Sequence, residues 1–449
     1  MEIEKNNRIR NDNNSISKYV SQRILILFLA ILFFNGFLNN FVDIGKVYFG
    51  TLLIDIFYVI SSVLEIIIIL KRNKITVTDI NVIFFIFFYL YFARIFLDSN
   101  NDIYSKFLSF RDRVFYITIF IFVQEFIYSI DDIKRIKKWL FIFSIFISLF
   151  GIFQYIFREH LSLILLTPKS DNIFSYYGTN IVRSTGLIGN PIIFGNFELL
   201  FYSIFLTRFF TRSNLKNFIF VLITFFAIIF TFSRVAYLGT FIITFVLMIV
   251  YIFKYKSKRT LTSYLSILTI ILLSMILILV FRNDIINSFI YKDLILGNNP
   301  SVKGSTQTHI HLLEKSIEII KSNWIFGTGI GTQRYGTNVQ FYNTDGSWMA
   351  MMIEIGIPMF ILYLAFLIKC IIKSYELSRK NLIIRDIGIG FFIFSIYEMI
   401  FANFINSAYF GKIFYIMYWF IFGIILSSHK VINKKEKIVN SINGKQNIF

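Results

Sequence analysis

Two arginines carry the clearest chemical potential in this chain. Arg183 opens R-S-T-G-L-I-G-N-P (183–191), just ahead of an apolar run. Arg234 lies in T-F-S-R-V-A-Y-L-G (231–239), where two other apolar runs meet with almost no loop. A guanidinium stays charged and grips phosphate oxygens through paired N–H groups. Two of them at the boundary between apolar segments and water suit a substrate with an anionic head and an apolar tail. Asn190 and Ser233 are the polar neighbours that would complete such a site. Each arginine also has a plainer reading: Arg183 as a cation reaching for lipid headgroups, Arg234 as the partner of a carboxylate in the bundle. Further along stand His309, His311, Arg334 and Asp345, with Glu354 nine residues beyond the last. A histidine can act as a base near neutral pH or simply be solvated. Asp345 precedes Gly-Ser and an apolar run, so it can accept a proton from a hydroxyl or cap a helix. Asp55, Glu65, Arg94, Glu125, Glu198, Glu354 and Glu398 fall within apolar runs, where a charge is costly and therefore a functional suspect. A single cysteine, Cys370, and four histidines without metal-ligand spacing lead us to expect no metal and no cofactor.

The elements that must position these groups are helices in lipid. Hydrophobic residues make up 56% of the 449 and charged residues only 16%, more apolar surface than a soluble domain can hide. Apolar runs fall at about 23–41, 51–70, 80–97, 113–129, 139–157, 191–209, 217–232, 234–253, 262–281, 346–368, 383–402 and 410–428. Most approach the roughly 20 residues a helix needs to cross a bilayer. The expected fold is therefore all-α and polytopic, with about 12 transmembrane helices and a large, partly helical external loop between spans 9 and 10. The split at Thr231–Arg234 is the boldest of these divisions. Basic clusters such as Lys134-Arg-Ile-Lys-Lys138 fall on one side, which places both termini in the cytoplasm; they also account for the net charge of +19 without a nucleic-acid partner. The first apolar run reads as a retained span rather than a signal peptide. The expected organisation is a polar tail over 1–22, one membrane domain over 23–428 and a basic tail over 429–449. External loops 158–190 and 282–345 would cover the site, and His311-Leu-Leu-Glu-Lys-Ser-Ile-Glu-Ile-Ile-Lys in the second is spaced for a helix.

Four motifs in order resemble the O-antigen ligase/polymerase superfamily of bacterial envelope glycosyltransferases: R-S-T-G-L-I-G-N-P-I-I-F-G-N (183–196), T-F-S-R-V-A-Y-L-G (231–239), N-W-I-F-G-T-G-I-G (323–331) and D-G-S-W-M-A-M-M-I-E-I-G-I-P (345–358). The resemblance covers about residues 180–360. It implies transfer of an undecaprenyl-diphosphate-linked glycan at the external face of the inner membrane, without a metal, with Arg183 and Arg234 as diphosphate ligands. Ligases of the family carry a His-Asn pair where this chain has Asp345-Gly346, and the acidic residue looks more like the polymerase branch. The expected activity is polymerisation of O-antigen or capsule repeat units. Asp345, His311 or Glu354 would serve as base, and Arg183, Arg234, Arg334, Asn190 and Ser233 would hold the substrate. A chain-length regulator and a flippase are partners that such a pathway supplies. The alternatives are a ligase moving polymer onto lipid A-core, and a flippase or other multi-span transporter, for which the repeats between halves are missing.

Overall fold

The structure, a computed structural model, describes residues 23–35, 38–39, 43–44, 47–72, 78–98, 102–157, 183–254, 300–333, 344, 346–405 and 408–446. It is helical apart from a two-residue ladder, Asp43–Ile44 against Val47–Tyr48. Six of the described helices are long and apolar enough to cross a membrane: α3 (Asp79–Leu97), α6 (Ile130–Ile156), α7 (Pro191–Thr211), α9 (Arg234–Lys254), α11 (Ser347–Lys380) and α13 (Lys412–Gln446). Shorter apolar helices are α1 (Arg23–Phe33), the first part of α2 (Phe49–Arg72) and α8 (Leu215–Phe230). The other α-helices longer than one turn are α4 (Ile103–Arg113), α5 (Ile119–Phe126), α10 (Pro300–Ser322) and α12 (Arg385–Tyr397). The chain is thus a polytopic all-α membrane protein, and its apolar run 262–281 lies outside the described residues.

α7 and the first part of α13 form the centre. Along their most apolar stretches 83% and 89% of the residues are buried, against 33% for α3 and α9. Both central helices are apolar over most of their surface, as a helix surrounded by protein must be, and the buried Asn196 and Glu198 of α7 are bonded to Glu398 and Ser148. In lipid the contacts between helices rest on close packing rather than on expulsion of water. α12 meets α7 closely enough that a Cβ on Gly390 would lie 2.6 Å from the Ile204 Cα. Around α13 the space is filled by rings, with Trp419 stacked on Phe366 at 5.2 Å.

Three expectations change in detail. The run 113–129 is not one span. It breaks into the end of α4, a 3₁₀ turn (Phe115–Thr118) and the eight residues of α5. Ions fix both its ends: Arg113 pairs with Glu354 at one, and Glu125 with Lys430 at the other. The distance between those anchors is only about 20 Å at helical rise. α6 then starts at Ile130, earlier than the apolar pattern suggests, because Ser129 and Asp132 form a reciprocal capping box. α11 contains a break at Gly356, whose φ of 77° is left-handed, followed by Pro358. The split at 231–234 is present: α8 ends at Phe230 and α9 begins at Arg234, with Phe232 in the left-handed region at φ 49°. The helix expected around His311 is also there, as α10.

Polar contacts gather at the two ends of the bundle. One end joins the 94–113 segment, the 183–190 turn, the 231–234 corner, the 324–332 loop and the 346–357 segment. The other joins Lys137, Arg208 and Asp386.

Candidate active site at one end of the bundle

The Arg183 turn is held from below by Gln154 of α6. The Gln154 Oε1 accepts from the amides of Thr185 and Gly186, both at 2.9 Å, and its amide nitrogen donates to the Thr185 hydroxyl at 3.0 Å. Ser184 donates its hydroxyl to the Gly151 carbonyl and its amide to the Phe230 carbonyl, each at 2.8 Å. Asn190 caps α7 by accepting from the amides of Ile192 and Ile193, ahead of Pro191 at the first helical position.

The Arg183 guanidinium then crosses to the corner between α8 and α9. Its Nε donates to the Thr231 carbonyl at 2.9 Å and its Nη2 to the Phe232 carbonyl at 3.4 Å. Phe232, whose carbonyl takes the second of these bonds, is left-handed, a conformation that costs a non-glycine residue about 1–2 kcal/mol. Ser233 is buried, and its hydroxyl accepts from the Ala236 amide at 3.4 Å. Arg234 is exposed at the first residue of α9. The structure therefore brings Arg183 and Arg234 to one corner, where the amino end of α9 adds its own preference for anions. Ser233 adjoins Arg234 in that corner and Asn190 closes the 183–190 turn, each in a capping role.

The second part of the site is the glycine-rich loop 324–332 locked into the break in α11. In an unbroken helix the Ile357 amide would donate to the Ile353 carbonyl. Here the loop takes both groups: Ile357 donates to the Trp324 carbonyl at 2.8 Å, and the Ile353 carbonyl accepts from the Thr328 amide at 2.7 Å. A Cβ on Gly356 would lie 2.2 Å from the Ile325 carbonyl oxygen, so the two backbones can meet this closely only through glycine.

Carboxylates tie this knot to α3 and α4. Glu354, 1% exposed, accepts from the Ser109 hydroxyl at 2.6 Å and the Gly331 amide at 2.8 Å, and pairs with the Arg113 Nε at 3.4 Å. Asp98 accepts from the Ile330 amide at 3.0 Å and from Arg94 at 3.1 Å through both oxygens. Arg94 also donates to the Ile355 carbonyl at 3.0 Å, beside the break. The Arg113 guanidinium lies 3.9 Å from the Phe410 ring centroid. Next to it Asp55 pairs with Arg111 at 2.9 Å and Lys412 at 3.0 Å. Asp102, the cap of α4, is held below the usual carboxylate range by the Ser105 hydroxyl and amide.

The two parts flank a short π-helix, Glu398–Ala402. On one side the Tyr397 hydroxyl donates to the Val235 carbonyl; on the other the Trp348 indole donates to the Met399 carbonyl at 3.0 Å. Such bulges recur at functional sites. Within it Glu398 accepts from the Asn196 amide at 2.8 Å.

Of the other residues singled out from the sequence, His311 is exposed on α10, and Arg334 and Asp345 lie outside the described residues. Among the described residues no group of three or more His, Cys, Asp or Glu side chains gathers as a metal site would require. Sequence reasoning missed Gln154, Asp98, Ser109 and Arg113. The only available signal for Gln154 was an amide within an apolar run, where a polar group needs a partner.

Residues 219–364 match the family described as O-antigen ligase. The match spans α8, α9, α10 and the break in α11, so it contains Ser233, Arg234, His311, the glycine-rich loop and Glu354, but not Arg183 or Asn190. No curated protein matches the chain. The match and the polytopic fold support the O-antigen ligase/polymerase superfamily, and the chain is a multi-pass membrane protein.

Proposed function

We propose that this protein joins lipid-diphosphate-linked oligosaccharide repeat units at the external face of the bacterial inner membrane, as a metal-independent polymerase. Arg183 and Arg234 hold the donor's diphosphate while its undecaprenyl tail stays in lipid. The acceptor hydroxyl attacks the anomeric carbon of the donor sugar, the sugar–phosphate bond breaks, and undecaprenyl diphosphate leaves with the bonding electron pair. Charge on the diphosphate grows as that bond breaks. Fixed cations beside it therefore stabilise the transition state more than the ground state. The acceptor's proton passes to a base, for which Asp345 and His311 are the candidates. Glu354 has a different task in this reading: Ser109 and Gly331 occupy its Oε1, Arg113 faces its Oε2 as an ion pair at 3.4 Å, and it fixes the loop that positions the acceptor. Both termini lie in the cytoplasm, on the side of the basic loops. A chain-length regulator and a flippase are its expected partners.

The observation that carries this reading is the Arg183 guanidinium bonded to the carbonyls of the corner from which Arg234 projects. The test is purified protein with a synthetic undecaprenyl-diphosphate repeat unit in EDTA, products resolved on a gel. A ladder of longer glycans supports polymerisation. Product that forms only when a lipid A-core acceptor is added would replace it with the ligase reading. A folded protein inert towards both would turn the account to transport.

A further inference from the structure

A groove of about 670 Å³ opens at the end of the bundle opposite the arginine corner, between α6, the end of α7 and the start of α8. Six cations line it: Lys134, Lys137, Lys138, Arg208, Arg212 and Lys216; no Asp or Glu is among the lining residues. Three of the six have partners nearby. Lys137 and Arg208 share Asp386, and Lys134 pairs with Asp131 at 3.3 Å. Even so, the Arg208 Nε is buried without a hydrogen-bond partner among the described residues. Lys138, Arg212 and Lys216 are exposed around the rim.

The apolar wall of the groove continues from this rim. Lys138, Ile142, Phe146 and Leu149 follow one another at spacings of four, four and three on α6, which puts them on one face. Ile142, Phe146 and Leu149 are 44%, 47% and 37% exposed. From Lys138 to Leu149 the helix rises about 16 Å, about half the ~30 Å hydrocarbon core. The groove thus offers positive charge at the depth of a headgroup and an apolar track one leaflet long.

We propose that this groove binds an anionic glycerophospholipid, its phosphate held by Lys138, Arg212 and Lys216 and one acyl chain laid along Ile142, Phe146 and Leu149. Basic pockets between membrane helices favour anionic headgroups. A free phosphate would use these cations alone and leave the apolar track without an occupant. The site lies away from the arginine corner, so the proposal stands apart from the assignment of the reaction.

The test uses the full-length protein in nanodiscs of phosphatidylcholine containing increasing phosphatidylglycerol, with retained lipid counted by native mass spectrometry. Wild type retains phosphatidylglycerol in preference to phosphatidylcholine. The variant Lys138→Gln/Arg212→Gln/Lys216→Gln changes three exposed side chains and retains phosphatidylglycerol about a hundredfold more weakly, from the usual contribution of each cation near a membrane surface. Lys134→Gln, whose side chain already pairs with Asp131, behaves as wild type. Equal retention of both lipids, equal retention by the triple variant, or an equal loss in Lys134→Gln would overturn the proposal. So would binding of inorganic phosphate without phosphatidylglycerol, which would mark a plain anion site.

Discussion

Replacing Glu354 by alanine probes how the glycine-rich loop is held. The substitution removes the acceptor for the Ser109 hydroxyl and the Gly331 amide and the counter-charge of Arg113. The Arg113 side chain is only 13% exposed, so its charge is left largely buried. Removing one partner from a buried pair costs about 3–5 kcal/mol. Much of that cost can be relieved by the loop lifting away from the break in α11. Local opening should then become easier by about 3 kcal/mol, which is roughly a hundredfold in amide exchange. The assay is hydrogen exchange on the detergent-solubilised protein, read at the Ile330 and Gly331 amides. Gly331 is bonded to Glu354, whereas Ile330 is bonded to Asp98, so Ile330 reports whether the loop moves as a unit. Both amides should accelerate in Glu354→Ala. In Glu354→Gln, which keeps an oxygen acceptor and the volume, the change should be smaller, about 1–2 kcal/mol. Unchanged exchange at both amides in the alanine variant would refute the reasoning, and acceleration at Gly331 alone would refute the loop as one body.

Three other substitutions test separate joints of the site. Gly356→Ala would place a methyl group 2.2 Å from the Ile325 carbonyl and strain a φ of 77°; a loss of about 3 kcal/mol or more is expected, and an unaltered melting temperature would contradict the interlocked backbones. Gln154→Leu would leave the Thr185 and Gly186 amides without their acceptor, at about 1–3 kcal/mol for each buried group; exchange at those two amides should rise while the Lys137–Asp386 end stays protected. Asn190→Ser keeps a capping side chain and should preserve both stability and turnover, whereas Asn190→Ala should lose about 1 kcal/mol of stability; a turnover defect in the serine variant with normal stability would show that Asn190 contacts substrate.

The sequence disclosed the helices more readily than the contacts between them. Apolar runs of about 20 residues marked the long spans, and Ser233-Arg234 inside one continuous run marked the corner between α8 and α9, because no helix of that length stays in a bilayer unbroken. The break in α11 was less visible: Gly356 and Pro358 announce a kink, but not that Trp324 and Thr328 would fill the opened backbone bonds. The short crossing after Arg113 was misread as a full span because hydropathy records apolar residues and not the ion pairs fixing their ends. Arg94, Glu354 and Glu398 stood out as charges in apolar runs, yet their partners did not. Ser109 and Glu354 are 245 residues apart, and Arg94 and Ile355 are 261 apart; no local pattern links them. For Arg183 and Arg234, the motifs gave the chemistry and the fold gave the shared corner.

The central claim is that Arg183 and Arg234 act together on a diphosphate. Its most direct test is the rate of glycan elongation on an undecaprenyl-diphosphate repeat unit by Arg183→Ala, Arg234→Ala and the double variant, with folding checked by thermal melting. The account predicts a loss of at least about a hundredfold for Arg234→Ala, as when a preorganised donor is removed from a developing anion, and no measurable ladder from the double variant. A double variant that still makes polymer of full length would contradict it.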